Sequence, residues 1–89
     1  MPARHLLITG LVQGVCFRAE AQTKAKELQL AGWARNNNDG TLEIHIEGAI
    51  PALQKFERWC QRGPNGARIE KVQAGDEPED YLKSFDIQM

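Results

Sequence analysis

Apolar and polar positions along the chain predict five strands and two helices. The strand segments are residues 5–12, 32–36, 42–47, 67–74 and 85–87. The first is a nearly continuous apolar run, which is typical of a strand in the middle of a sheet. The third alternates strictly, so we expect an apolar face against the core and a polar face, Glu43, His45 and Glu47, toward solvent. In the fourth, Ile69 and Val72 share a face only if the strand contains a bulge.

Two segments instead repeat their apolar residues with the period of a helix, at residues 18–30 and from Pro51 to Gly63. The residues expected to face the core are Ala21, Ala25 and Leu28 in the first helix and Leu53, Phe56 and Cys60, together with Trp59, in the second. Trp33 in the second strand is also expected in the core. Pro51 suits the first turn of a helix, and Gly63 with Pro64 ends it.

The order of the elements is β-α-β-β-α-β followed by a short strand. It predicts an α+β fold of the ferredoxin-like type, an antiparallel sheet with two helices on one face. The pattern uses nearly the whole chain, so we expect residues 1–89 to form one domain. Right-handed crossovers make the first two strands parallel, so both end at the same edge of the sheet. If the third strand lies between them, their axes are about 9–10 Å apart, and residues 13–18 and 36–38 meet across a gap that accommodates a phosphate.

Composition and charge argue against several classes of protein. The chain has 89 residues, 42% of them hydrophobic, and a formal net charge of −1. Nucleic-acid binders rely on clustered Lys and Arg, so no nucleic-acid partner is expected. The apolar runs are too short to cross a bilayer, and the first residues do not resemble a leader peptide. We therefore expect a cytoplasmic protein without a membrane partner, and a monomer, because no apolar stripe is left over.

Residues 10–18, GLVQGVCFR, lead directly into the first helix. Unpaired backbone N–H groups at a helix N-terminus bind anions, and the helix dipole favours negative charge there. Gly14 allows close approach of the backbone, and Arg18 adds a planar cation that matches phosphate oxygens. The alternative is a plain turn between strand and helix with a solvated arginine.

Residues 32–40, GWARNNNDG, end the second strand in an asparagine-rich turn. Asn37 and Asn38 are interpreted as turn residues, because asparagine favours turns through local hydrogen bonds. Asn36 falls at the end of the strand. There its amide faces the expected anion-binding loop at residues 13–18, which we call the anion loop, and offers both a donor and an acceptor. Asn36 is therefore a candidate site residue.

Together these two motifs resemble the paired signature of the acylphosphatase family, small enzymes of this fold that hydrolyse carboxyl-phosphate bonds. The matching positions are Gly10, Val12, Gln13, Gly14, Val15, Phe17 and Arg18 in the first motif and Gly32, Trp33, Asn36 and Gly40 in the second. The resemblance implies that Arg18 and Asn36 are catalytic, Arg18 binding the phosphate and Asn36 orienting the attacking water. The phosphate-binding loop it implies consists of Gln13, Gly14, Val15, Cys16, Phe17 and Arg18.

The resemblance also implies a small-molecule acyl phosphate as substrate, and inorganic phosphate or sulfate as a product-like ligand. No cofactor and no metal are expected, because a carboxylate leaves readily and phosphoryl transfer depends mainly on positioning and charge stabilisation. His5 and His45 are expected at the surface or along a strand, without a partner at metal spacing.

The two cysteines, Cys16 and Cys60, are interpreted as reduced thiols, and a disulfide stays open if they lie close in space. A cysteine-dependent phosphatase would need an arginine six positions after Cys16, where the chain has Gln22. Cys16 is therefore expected to be a bystander in the loop.

Two other functions remain as alternatives. One is an anion-binding or regulatory module that keeps the fold without turnover, although the presence of both Arg18 and Asn36 favours an enzyme. The other is an RNA-binding module on the same fold. RNA readers of this kind stack bases on exposed aromatic residues of the sheet, whereas the third strand presents acids and a histidine, so this function is disfavoured.

Overall fold

The computed structural model of the chain describes residues 1–88 and contains the predicted elements, with boundaries shifted by a few residues. The strands are β1 (Ala3–Leu11), β2 (Ala31–Asn36), β3 (Leu42–Glu47), β4 (Arg68–Glu77) and β5 (Phe85–Gln88), and the helices are α1 (Phe17–Glu27) and α2 (Ile50–Arg62). Within residues 1–88, neither helix is long and apolar enough to cross a membrane.

The strands form one sheet in the order β4-β1-β3-β2-β5. Both β1 and β2 are antiparallel to β3, which lies between them, so β1 and β2 are parallel and separated by one strand. The carboxyl ends of β1 and β2 consequently lie at the same edge of the sheet. The predicted ferredoxin-like fold is confirmed, with the addition that β5 pairs with β2 in parallel.

The core lies between one face of the sheet and the two helices. It consists of Leu6, Ile8, Val12, Ala34, Leu42, Ile44, Ile46 and Phe85 from the sheet side and its connections, and Phe17, Ala21, Ala25, Leu30, Leu53, Phe56 and Cys60 from the helical side. The residues predicted to line the helix faces are among them, except Leu28 and Trp59, which are partly buried against this cluster.

Helix α1 ends earlier than predicted, at Glu27 rather than near Leu30. Gln29 adopts a left-handed conformation with φ 59°, its N–H bonds to the carbonyl of Lys26, and the Leu30 N–H bonds to that of Ala25. These two bonds form a Schellman motif, which closes a helix by satisfying its last carbonyls. The sequence did not reveal this end, because the left-handed residue is a glutamine and not a glycine.

The predicted bulge in the fourth strand is confirmed. Thr9 pairs with Lys71 and Gly10 pairs with Ile69, so Glu70 is the extra residue on β4. Gly10 has φ +136°, and a Cβ atom there would lie 2.0 Å from the carbonyl oxygen of Arg68, so only glycine fits. The bulge lets Ile69 and Val72 both pack against the core.

The polar face of β3 does not meet solvent as predicted. His45 and Glu47 are only 1% and 4% exposed. The segment between β4 and β5 covers them, and the backbone N–H groups of Asp80 and Leu82 donate hydrogen bonds to the Glu47 carboxylate. His45 lies along a strand, as one of the two predicted placements has it, but it is buried rather than solvent-facing. The prediction that it lacks a partner at metal spacing is wrong, because Glu47 and Asp80 lie beside it.

Trp33 lies outside the core cluster, contrary to the prediction. Its ring stacks on His45 on the polar face of the sheet, with ring centroids 6.0 Å apart, and the guanidinium of Arg35 lies 5.2 Å from the Trp33 ring centroid. Trp59 was predicted correctly as part of the packing, since its ring contacts Phe17 and Phe56. Tryptophan alone does not indicate which face of a strand is the core face.

Candidate active site

The loop between β1 and α1 lines a cavity at the carboxyl edge of the sheet. Gly14 has φ 76° and Cys16 has φ 60°, so two left-handed residues turn the chain sharply into the helix. Cys16 is the N-cap of α1 and makes no side-chain cap hydrogen bond. The N–H groups of the first helical turn are thus available to an anion at the positive end of the helix dipole.

Arg18 is the second residue of α1 and is partly buried. Its Nη1 donates a hydrogen bond of 2.9 Å to the backbone carbonyl of Gln88 in β5. Among residues 1–88 this is its one side-chain hydrogen bond, and an arginine has five N–H donors. Strand β5 therefore anchors the guanidinium and leaves its other donors for ligand oxygens.

Asn36 is the last residue of β2. Its Oδ1 atom is buried and has no hydrogen-bond partner within the described residues. An unsatisfied buried acceptor costs about 1–3 kcal/mol, so such an atom is rarely left without a role. The position fits an acceptor for a water molecule or a ligand.

The loop, the arginine and the asparagine enclose one cavity of about 330 Å³, the size of a small-molecule site. Its lining consists of Val12, Gly14, Cys16, Phe17, Arg18, Ala19, Asn36 and Ile87. The structure thus brings together Gly14, Cys16, Phe17 and Arg18 of the predicted loop with Asn36 from the other motif. A larger cavity of about 560 Å³ lies elsewhere, beside Lys26 and Lys83, but it has no helix N-terminus in its lining. We assign the site to the smaller cavity because that cavity combines a helix N-terminus with Arg18 and Asn36.

Two predicted loop residues do not line the cavity with their side chains. Val15 packs against the core. The Gln13 Nε2 atom donates hydrogen bonds to the backbone carbonyls of Asn37, at 2.8 Å, and Thr41, at 3.1 Å. Gln13 therefore ties the anion loop to the hairpin that follows Asn36, which fixes the two halves of the site relative to each other.

Some lining residues were missed by sequence reasoning. Val12 matches the first motif but has no predicted role in the site, and the sequence places Ile87 only in a strand and Ala19 only in the first helix. The Gln88 carbonyl, which anchors Arg18, could not be predicted, because the residue type does not indicate which backbone carbonyl will accept a hydrogen bond. Only the parallel pairing of β5 with β2 brings it to this edge.

Replacing Gln13 by alanine is expected to lower stability by about 1–2 kcal/mol, because two hydrogen bonds are lost. We also expect the catalytic efficiency, kcat/KM, to fall about tenfold, because the hydrogen bonds that hold the anion loop and Asn36 at a fixed distance are lost. Urea unfolding and steady-state kinetics measure both effects. Gln61→Ala, on the exposed face of α2, is the matched control, and equal kinetics for the two variants would contradict the role given to Gln13.

The two cysteines are free thiols in very different surroundings. Cys16 is exposed beside the cavity, whereas Cys60 is fully buried, and burial raises the pKa of the Cys60 thiol well above its ordinary value. We expect a thiol reagent to modify one cysteine in the folded protein and two after unfolding, because only a thiolate reacts. Mass spectrometry of the modified peptide should identify Cys16; rapid labelling of Cys60 in the folded state would contradict this burial.

Known proteins match both the sequence and the fold. The family model described as acylphosphatase matches residues 4–87. An acylphosphatase of Nocardioides sp. is 44% identical over 85 residues, covering 96% of this chain and 86% of the relative. An acylphosphatase of Roseiflexus sp. is 42% identical over 88 residues, covering 98% and 95%.

Solved structures agree with the sequence relatives. The crystal structure of acylphosphatase from Bacillus subtilis superimposes with a TM-score of 0.97 at 31% identity and covers 100% of both chains. The matches in sequence and in structure thus extend over nearly the whole chain, and the family model spans both segments of this chain that form the cavity. The chain belongs to the acylphosphatase family.

Proposed function

We propose that this chain hydrolyses the carboxyl-phosphate bond of acyl phosphates, releasing a carboxylate and inorganic phosphate. The backbone N–H groups of residues 13–18 and the guanidinium of Arg18 hold the phosphoryl group, and Asn36 positions the attacking water. The main support for the proposal is the buried Oδ1 of Asn36, which has no hydrogen-bond partner among residues 1–88. Asn36 lines the same cavity as Arg18 and the start of α1. Membership of the family supports the reaction type.

The loop and Arg18 supply the charge stabilisation that phosphoryl transfer requires. In the transition state, negative charge is spread over the three equatorial oxygens of the phosphoryl group. The planar guanidinium donates two parallel hydrogen bonds to two of these oxygens, and the N–H groups at the start of α1 bind the third. Because Gln88 already orients the guanidinium, little reorganisation is needed during the reaction.

Asn36 acts on the nucleophile. Its Oδ1 accepts a hydrogen bond from a water molecule, which fixes the water oxygen so that a lone pair points toward phosphorus. Its Nδ2 donates to the same water or to a phosphoryl oxygen, since a carboxamide offers both functions. Holding the water in line with the departing carboxylate makes the attack effectively intramolecular.

No side chain that lines the cavity within residues 1–88 is a carboxylate or an imidazole. A carboxylate is a good leaving group and needs little protonation, so a general acid is not required. The phosphoryl oxygens of the substrate accept the proton of the attacking water in this mechanism. A pH–rate profile controlled by the substrate's own ionisation supports this step, whereas an essential enzyme base with its own pKa would refute it.

The test of the proposed function is release of inorganic phosphate from acetyl phosphate and benzoyl phosphate. We expect saturable turnover with both substrates, unchanged by a metal chelator. The competing function, an anion-binding module without catalysis, predicts that phosphate binds but that neither substrate is hydrolysed faster than in buffer. That outcome would mean that the chain is an anion-binding module and not an enzyme.

We further propose that the chain works as a cytoplasmic monomer without a cofactor. The groups that the mechanism uses, namely the loop at residues 13–18, Arg18 and Asn36, all belong to this chain, so the mechanism needs no residue from a second copy. The two free thiols suit a reducing compartment. Sedimentation of the purified protein tests the monomer, and a dimer at micromolar concentration would contradict it.

A further inference from the structure

Four ionisable side chains meet on the face of the sheet opposite the helices, away from the cavity described above. We call His45, Glu47, Glu77 and Asp80 the outer-face cluster. The His45 and Glu47 side chains are 2% and 3% exposed, whereas the Asp80 side chain is 61% exposed. The proposed hydrolysis uses none of these residues.

One nitrogen of His45 faces two carboxylates. Its Nε2 lies 2.6 Å from Oε2 of Glu47 and 3.8 Å from Oδ2 of Asp80. One ligand atom from each of the three residues lies within 4.8 Å of the other two. Tetrahedral zinc with bonds near 2.05 Å places its ligand atoms about 3.3 Å apart, so shifts of less than about 1 Å bring the three atoms to that spacing.

The other nitrogen of His45 is already fixed, because its Nδ1 contacts the carboxylate of Glu77. A carboxylate on the far nitrogen of a metal-binding histidine sets the ring orientation and increases the basicity of the ligating nitrogen. Glu47 is oriented in the same way, since it accepts hydrogen bonds from the backbone N–H groups of Asp80 and Leu82. Both inner groups are therefore held in place by their surroundings.

The charge of the cluster also favours a cation. Three carboxylates surround one imidazole, and within residues 1–88 no lysine or arginine forms an ion pair with Glu47, Glu77 or Asp80. Even a protonated His45 leaves two negative charges without a cationic partner. Carboxylates crowded around one imidazole repel one another, and Glu47 is almost fully buried, so a divalent cation relieves this repulsion.

We propose that the outer-face cluster binds one divalent cation of the zinc type. Nε2 of His45 and one carboxylate oxygen each of Glu47 and Asp80 are its ligands, and Glu77 supports the histidine. An imidazole with two carboxylates selects a borderline cation such as Zn²⁺ over Mg²⁺ and Ca²⁺, which prefer oxygen alone. The exposed Asp80 leaves the fourth position open to water. Because Asp80 belongs to the segment between β4 and β5, the cation ties that segment to β3.

The test is a calorimetric titration of the chelator-treated full chain with Zn²⁺, combined with thermal unfolding. We expect one site per chain with micromolar or tighter affinity, and a higher unfolding midpoint with Zn²⁺ but not with Mg²⁺. Asp80→Asn should weaken binding at least tenfold while leaving the midpoint of the zinc-free protein and acyl phosphate turnover unchanged. The matched control is Asp76→Asn, which removes a 91% exposed acid outside the cluster and should bind as the parent does.

Two further readouts locate the cation. The absorption spectrum with Co²⁺ should lack a sulfur charge-transfer band, which excludes Cys16 as a ligand, and His5→Gln should bind Zn²⁺ normally, which excludes the other histidine. The proposal is overturned if Zn²⁺ does not bind at micromolar concentration, if Asp80→Asn binds as tightly as the parent, or if cobalt shows thiolate ligation. None of these results bears on hydrolysis, because the two sites share no residue.

Discussion

Arg18→Ala is expected to lower kcat/KM for acyl phosphate hydrolysis by about 10³-fold or more, the size of effect seen when an arginine that neutralises a transferring phosphoryl group is removed. The guanidinium is the one cationic side chain in the lining of the cavity within residues 1–88. Without it, no charged side chain in the cavity lining opposes the developing negative charge. Stability should change by no more than about 1 kcal/mol, because a single hydrogen bond to Gln88 is lost.

Arg18→Lys separates charge from geometry. A lysine keeps the positive charge but lacks the planar fork that binds two oxygens at once, so we expect only partial recovery of the rate. Arg58→Ala on the exposed face of α2 is the matched control and should behave as the parent does. Turnover of Arg18→Ala within tenfold of the parent, in a folded protein, would contradict the role of Arg18.

Asn36→Ala is expected to lower kcat by about 10²–10³-fold, which is typical of removing one preorganised polar group from an active site. The effect should appear mainly in kcat, because Asn36 positions the water and Arg18 with the loop still binds the phosphate. The buried Oδ1 has no partner among the described residues, so its removal should leave the free energy of unfolding unchanged or slightly higher. A catalytic loss without a loss of stability is the signature of a group kept for function.

The control for this variant is Asn38→Ala, in the exposed turn that follows β2. It changes the same residue type two positions away and should retain full activity. Inorganic phosphate should bind to Asn36→Ala nearly as well as to the parent, as measured by competitive inhibition or calorimetry. If Asn36→Ala instead destabilises the chain and keeps its kcat, Asn36 is a structural residue and the proposed mechanism fails.

Most of the fold could be predicted from the sequence because local pattern and topology agree. The strict alternation in β3 and the helical spacing of Leu53, Phe56 and Cys60 identify their elements directly. The bulge opposite Gly10 followed from the spacing of Ile69 and Val72. Given the element order, the handedness of β-α-β crossovers brings β1 and β2 to one edge, which is why the anion loop and Asn36 could be placed together.

The parts that could not be predicted depend on contacts between distant segments. His45 and Glu47 alternate as a solvent-facing pair should, and only the path of the segment between β4 and β5 buries them. Their spacing of two residues along a strand does indicate a shared face, but Glu77 and Asp80 join them only through the tertiary fold. The hydrogen bond from Gln13 to the hairpin could not be predicted from the motif either, because the motif indicates only that Gln13 belongs to the anion loop.

The proposed mechanism requires a tetrahedral anion to bind between the start of α1 and Asn36. A crystal structure of the chain with phosphate bound shows whether it does. We predict phosphate oxygens within hydrogen-bond distance of the Arg18 guanidinium and of the backbone nitrogens in residues 14–18, with a water molecule bridging phosphate and Oδ1 of Asn36. Phosphate bound at another surface, with this cavity empty at saturating concentration, would contradict the account.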